Sequence, residues 1–282
     1  FNILLFAGIV LYASLSIPAR FVALPFLISP QVWYIFSYCV SDAFGLFLCF
    51  LAACELVRPK SLLNRIFNES SYLQLVGAMV WVAVLLAMLF LLKINYYPFI
   101  LLCFGVVAFR WLQGNEISRK TVFIRIITCI VFALLLAGLR MGADYQVNGM
   151  DRQDKLAAMQ EKTAHHWYKP STELHKKHVS MYLKDRGSSL KELVVNHRWF
   201  KHSFVTSFGV YGYFTISAPQ FYYRLIVWAS LIFAIYTFTA LLIRGDMEIR
   251  ALTLFVTLLG IGLIGASLHR SWTIDFQAQG RY

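Results

Sequence analysis

The fold class this sequence predicts is an all-α polytopic membrane protein, with about seven transmembrane helices and one largely helical extracytoplasmic loop domain. Three observations carry that expectation. Of the 282 residues, 59% are hydrophobic and 14% charged, whereas an ordinary soluble domain carries about 25% charged side chains. Apolar runs recur along the chain, and a hydrocarbon core about 30 Å thick asks for about 20 apolar residues in a helix. Between two such runs lies 141–220, the one long stretch that water would solvate, with six of the seven histidines, eleven Lys/Arg and seven Asp/Glu.

Taken in order, the spans read as 1–17, 29–57, 72–93, 99–113, 121–139, 221–243 and 251–268. The second is long and interrupted. Ser29-Pro30-Gln31 opens it, and a break near Ser41 leaves Asp42 to start a shorter helix, where a carboxylate suits the positive end of the dipole. Asn95-Tyr-Tyr-Pro98 reads as a tight turn whose tyrosines belong to an interfacial aromatic belt. Inside the loop, 151–164 and 172–184 have helical composition, and Ser189-Leu-Lys-Glu192 reads as a capping box opening a third helix to about Phe200. Leu190, Leu193, Val194, Trp199 and Phe200 make that third helix amphipathic, so it lies on the membrane surface or packs on the loop. Three regions follow: 1–140 with the first five spans, the loop domain 141–220, and 221–282 with the last two spans and an outer segment. Phe1 starts inside an apolar run and the last residues read as entry into another segment, so more chain is expected at both ends.

The net charge of +12 is explained by a positive-inside bias and contact with anionic lipid, and nucleic acid is not an expected partner. Arg58, Lys60, Arg65, Arg110, Arg119, Lys120, Arg125, Arg244 and Arg250 fall on one side, against Arg20, Lys93, Arg270 and Arg281 on the other. The first side is therefore expected in the cytoplasm and 141–220 outside it, which in a Gram-negative bacterium is the periplasm; loops beyond about 60 residues translocate largely regardless of charge. All five cysteines fall in apolar runs, which reads as buried thiols and neither a disulfide framework nor a zinc site.

Polar groups kept inside a span come first as candidates. Asp42 is a helix-start residue or a substrate contact. At the outer end of the last span, His269, Arg270, Asp275, Gln277, Gln279, Arg281 and Tyr282 crowd together, and guanidinium matches phosphate oxygens in a fork. The pairs His165-His166 and His175/His178 have no carboxylate or cysteine at a recognised companion spacing, so no metal ligand is assigned. Walker, G-x-S-x-G and strand-borne G-x-G-x-x-G motifs are absent from the sequence, which leaves cytosolic nucleotide chemistry without support.

Three patches, Ser29-Pro-Gln-Val-Trp-Tyr34 running on to Ser41-Asp-Ala-Phe44, Ser207-Phe-Gly-Val-Tyr-Gly-Tyr213 with Ala218-Pro219, and Gln279-Gly-Arg-Tyr282, together resemble the multi-spanning bacterial membrane proteins related to the GT-C glycosyltransferases, which are similar to protein mannosyltransferases. The resemblance implies transfer of a sugar from a polyprenyl-phosphate donor to a cell-envelope glycan or other acceptor on the outer face, with inversion at the anomeric carbon. Such chemistry needs a carboxylate base for the acceptor hydroxyl and cations or a divalent metal at the leaving phosphate. In that family the base lies in the first outer loop. The corresponding segment here, 15–29, holds no Asp or Glu. The base is thus expected upstream of Phe1, with Asp42, Asp144, Asp151 and Asp154 as substitutes; otherwise the chain is no transferase of that kind. For substrate binding the candidates are Gln277, Gln279, Arg281 and Tyr282, which would grip the donor phosphate unless Arg270 and Arg281 snorkel toward headgroups; the Ser207–Phe214 patch is structural, its glycines letting it lie flat at the interface, or lets Tyr211 and Tyr213 stack on a sugar. Two other readings stand beside it, a carrier or flippase for a lipid-linked intermediate and a non-catalytic membrane subunit. A carrier would call for ionisable groups deep in several spans and internal repeats, and the sequence offers few of the first and none of the second.

Overall fold

The computed structural model describes residues 1–38, 40–69, 71–114, 117–211 and 216–276. The chain divides into two compact units, Phe1–Arg140 and Met141–Tyr282.

In the first unit α1 (Asn2–Leu15), α2 (Ile17–Ile28), α3 (Pro30–Ser37) and α4 (Ser41–Val57) follow one another with almost no loop. A short α5 (Leu62–Asn68) leads to α6 (Tyr72–Phe90), a 3-10 turn at Ile94–Tyr96, α7 (Tyr97–Gln113) and α8 (Arg119–Asn148), which runs on into the second unit. Local chemistry sets these boundaries. Ser29 accepts from the Val32 N–H ahead of Pro30, and Ser61 accepts from the Asn64 N–H at 3.1 Å, so each supplies a helix cap. The break placed near Ser41 is found between the end of α3 at Ser37 and the start of α4 at Ser41, and Asp42 lies in the first turn of α4.

The stretch 15–29, expected as an outer loop, is instead mostly α2. Pro18 sits in the first turn, where its missing N–H costs nothing, and Pro25 is accommodated inside the helix. Asn2 Nδ2 donates to the carbonyls of Tyr38 and Val40 at 2.7 and 3.0 Å, while Tyr12 meets Arg58. Helix α1 therefore runs from the Asp42 end to the Arg58 end, and α2 with α3, bent by 83°, returns. Arg20 donates to the carbonyls of Ala13 and Ser14 at 3.2 and 3.0 Å, which moves it from the outer side, where the sequence reading put it, to the basic end.

Alanine makes this packing close. Ala19, Ala43, Ala78, Ala83 and Ala133 are fully buried, and small residues let helix backbones approach where lipid offers no hydrophobic drive to associate. A Cβ on Gly45 would fall 2.5 Å from the Tyr96 ring, so any larger residue would displace that ring and its hydroxyl's bond to the Asp42 carbonyl.

The second unit holds α9 (Arg152–Thr163), α10 (Leu190–Val195), α11 (Trp199–Ser207), strands β1 (Val210–Tyr211) and β2 (Ile216–Ser217), then α12 (Gln220–Arg244) and α13 (Met247–Thr273). The strands pair antiparallel, Val210 opposite Ser217. Asp246 caps α13 by accepting from the Ile249 N–H at 2.8 Å, closing a turn of two residues after α12. The lobe between α8 and α12 has its own core, Leu183, Leu193 and Trp199, against Leu268, Trp272 and Phe276 at the far end of α13.

Two loop expectations are corrected. Of the helix expected at 172–184 only a 3-10 turn at Leu174–Lys176 forms. Distant partners take the backbone instead: Tyr182 and Lys184 N–H donate to the carbonyls of Ile274 and Trp272, both at 2.9 Å. The helix expected from Ser189 to Phe200 is split into α10 and α11 by Arg198, which is left-handed at φ 49°. That kink aims Trp199 at Ser271, its Nε1 donating to Oγ at 2.9 Å.

Among the described residues five helices are long and apolar enough to cross a membrane, or six if the bent pair α2–α3 is one span. The chain is an all-α polytopic membrane protein, and α1, at 14 residues, is a shorter apolar helix beside these five or six, against the seven spans expected.

Candidate functional site

Each candidate carboxylate that the structure describes lies in a particular setting. Asp42 holds the Lys93 ammonium at 2.5 Å, and its carbonyl accepts from the Tyr96 hydroxyl at 3.1 Å. Start of α4 and end of α6 are thereby tied together. Asp144, on the extension of α8, accepts from Asn148 at 2.8 Å and pairs with Arg152. Asp151 precedes α9, and its ion pair with Lys155 at 2.9 Å, through a side-chain hydrogen bond, holds its carboxyl below the usual range. Asp154 stands in the first turn of α9, where a negative charge meets the helix dipole. Asp144, Asp151 and Asp154 thus gather around one helix start, in company with Arg152 and Lys155, and Asp42 belongs to the other unit.

A second carboxylate of this lobe joins its elements. Glu161 accepts from the Ser171 hydroxyl at 2.6 Å and the Ser171 N–H at 3.1 Å, and these bonds hold its carboxyl below the usual range.

The lobe is latched to the end of α13 by polar groups as well as by its core. Ser180 Oγ donates to Asp275 Oδ1 at 3.0 Å and lies 2.7 Å from His178 Nδ1; the Phe276 N–H returns to the Ser180 carbonyl at 2.8 Å. A nucleophilic relay needs the imidazole between the hydroxyl and the carboxylate. Here the serine stands in the middle, so the chain works as a tether. Arg186 strengthens it from within, donating to the carbonyls of Met181, Leu174 and Lys177 at 2.9, 2.7 and 2.9 Å. Trp272 Nε1 donates to the Ser188 carbonyl at 2.7 Å, beside the capping box that Ser189 and Glu192 complete.

Gln277, Gln279, Arg281, Tyr282 and Tyr213 lie outside the described residues, and Tyr211 is described through its backbone alone. Phe276, which leads into Gln277, has its ring 5.6 Å from that of His197 and 6.3 Å from that of His202 on α11. Helix α11 itself leads into the Ser207–Tyr211 patch, anchored by hydroxyls of α12: Tyr222 donates to Phe208 O at 2.9 Å and Tyr223 to Gly209 O at 2.7 Å. Two patches far apart in sequence are therefore approached from one lobe. The third, around Ser29–Phe44, belongs to the first unit.

Among the described residues no group of three or more His, Cys, Asp or Glu is placed to hold a metal ion. The histidines instead form an aromatic cluster, with His165 and Trp167 rings 4.8 Å apart and Trp167 and His178 5.6 Å apart.

One buried acid escaped the sequence reading. Glu55 is 7% exposed; it accepts from the Leu63 N–H at 3.0 Å and from Trp81 Nε1 at 3.3 Å. Arg125 donates to the carbonyls of Ile66 and Glu69 at 3.0 and 3.1 Å. Helix α5 is thus held at its positive end by a carboxylate and at its negative end by a guanidinium, each complementary to the dipole. An acid inside an apolar run was the available signal, and it marks a structural clamp.

Comparison with known protein families, with curated proteins and with solved structures finds no match to this chain.

Proposed function

We propose that the protein is a GT-C-like membrane glycosyltransferase, moving a sugar from a polyprenyl-phosphate donor to a cell-envelope glycan on the outer face of a bacterial inner membrane. One observation supports it most: the patches that carry the resemblance at 207–213 and 279–282 are both entered from the lobe latched to the end of α13, through α11 and through Phe276. A donor phosphate in this reading meets the exposed Arg270 together with Gln277, Gln279 and Arg281, and Tyr211 and Tyr213 meet the sugar. Of the candidate bases, Asp42, Asp144 and Asp151 each hold a cation, and Asp154 stands in the first turn of α9.

Placing Arg20 with Arg58 steepens the charge asymmetry between the two ends, which supports a cytoplasmic basic end and an extracytoplasmic lobe. Proteoliposomes holding the full chain and a radiolabelled polyprenyl-phosphate sugar test the reading. Transfer to an added glycan is the expected result, reduced at least about tenfold by Arg281→Ala if the fork-like grip on phosphate is right. Movement of the labelled lipid across the bilayer without bond formation would instead establish the carrier, and neither transfer nor movement would leave a non-catalytic subunit.

A further inference from the structure

The strap 165–179 carries apolar bulk that its polar composition hides. Trp167 is 44% exposed, Tyr168 39%, Leu174 37% and Val179 73%, and grouped apolar exposure of this kind marks a contact surface. Cations surround it. Lys162 lies in the last turn of α9, and Lys169 and Lys176 lie within the strap. The single carboxylate between residues 162 and 184, Glu173, is engaged by Lys176 at 2.9 Å and by His175 at 3.4 Å. Lys177 serves the strap itself, donating to the Lys169 carbonyl at 2.7 Å.

Depth is fixed by the latch. Residues 180–184 hang by backbone hydrogen bonds from Trp272, Ile274 and Phe276, where α13 ends. Helix α13 is long and apolar enough to cross the membrane, and the strap is tied to its end at Thr273, five residues past the expected end of the span at 268, about 8 Å at 1.5 Å per residue, which is headgroup level. Aromatic rings at headgroup level and lysines facing anionic lipid are the two ingredients of interfacial binding.

We infer that the strap 165–179 docks on the anionic lipid surface of the membrane that α13 crosses, with Val179 and Trp167 in the interface and Lys162 and Lys176 against headgroup phosphates. This surface is independent of sugar transfer, and its test reads no activity. The full chain in nanodiscs of phosphatidylcholine alone, or with phosphatidylglycerol, is treated with chymotrypsin, and cleavage after Trp167 and Tyr168 is timed by mass spectrometry. The expected result is cleavage slowed about fivefold or more by phosphatidylglycerol, the factor one surface lysine contributes, with the protection lost at high salt. Lys162→Glu with Lys176→Glu, and separately Val179→Asp, abolish the protection while both variants are cut at the wild-type rate in phosphatidylcholine, which separates lost docking from lost folding. Equal rates in the two lipids, protection that survives the charge reversals, or protection that appears only when an acidic polysaccharide is added would overturn the inference, the last by naming a polymer as the occupant.

Discussion

Ala78, Ala83 and Ala133 in the first unit are fully buried against neighbouring helices, whereas the membrane-crossing windows of α12 and α13 in the second have 0% of their residues buried within the chain. The first unit is a bundle in which helix meets helix, its basic end sealed by the Glu55 and Arg125 clamp on α5. The second is a greasy hairpin whose interior lies in its polar lobe, around Leu193 and Trp199. The difference teaches where each unit's uniqueness resides. One is specified by small side chains that let backbones touch, the other by a few large side chains and hydrogen bonds that cap one helix end.

That contrast can be broken at its strongest point first. Trp199→Ala removes both the lobe's largest buried ring and the bond to Ser271, and is expected to cost about 3–5 kcal/mol, read as faster hydrogen exchange over α10 while the first unit keeps its protection. Next, Ala83→Leu overpacks the bundle and should cost about 1–3 kcal/mol in a detergent unfolding titration. Gly260→Ala on α13, where an added Cβ meets nothing within 4 Å, should instead be neutral or stabilise by up to about 1 kcal/mol. A comparable loss at Gly260 would show that α13 is packed against something. Smaller still is Asp42→Asn: Lys93 is half exposed and Asp42 14% exposed, so the pair is partly screened and about 1 kcal/mol is expected, with transfer changed less than about twofold. Transfer abolished in a stable Asp42→Asn variant would make Asp42 a substrate contact. Smallest is Glu161. Its carboxyl titrates below the ordinary glutamate range, so its bonds to Ser171 are present above that range and are lost as the pH falls through the lowered value. Exchange of the Ser171 amide should quicken on acidification in the wild type and be fast at every pH in Glu161→Ala.

Much of this was legible where the cause is local. The Ser189 and Glu192 capping box and the break before Asp42 need only residues within a turn of one another, and both are found. Helix α2 was missed because 15–29 was taken as the outer loop that the resemblance calls for, although its prolines suit a helix: a first-turn proline lacks only an unneeded donor and a membrane helix tolerates another. The stretch 172–184 looks helical by composition and is not, because its N–H groups find Trp272 and Ile274 some ninety residues onward, a pairing no window can contain. Glu55 was passed over for the same reason, since its donors on Leu63 and Trp81 declare themselves only in three dimensions. The candidate site was legible only as patches of composition. The contact of Phe276 with His202 on α11 joins residues 74 positions apart, which no local pattern announces.

The tether from Ser180 to Asp275 spans 95 positions of sequence, and this imposes an order on biosynthesis. At about 5–20 residues per second, a ribosome needs roughly 5–20 seconds to reach Asp275 after making Ser180. During that interval the nascent lobe lacks its lid of Leu268, Trp272 and Phe276, and it matures only once the final hairpin has left the translocon.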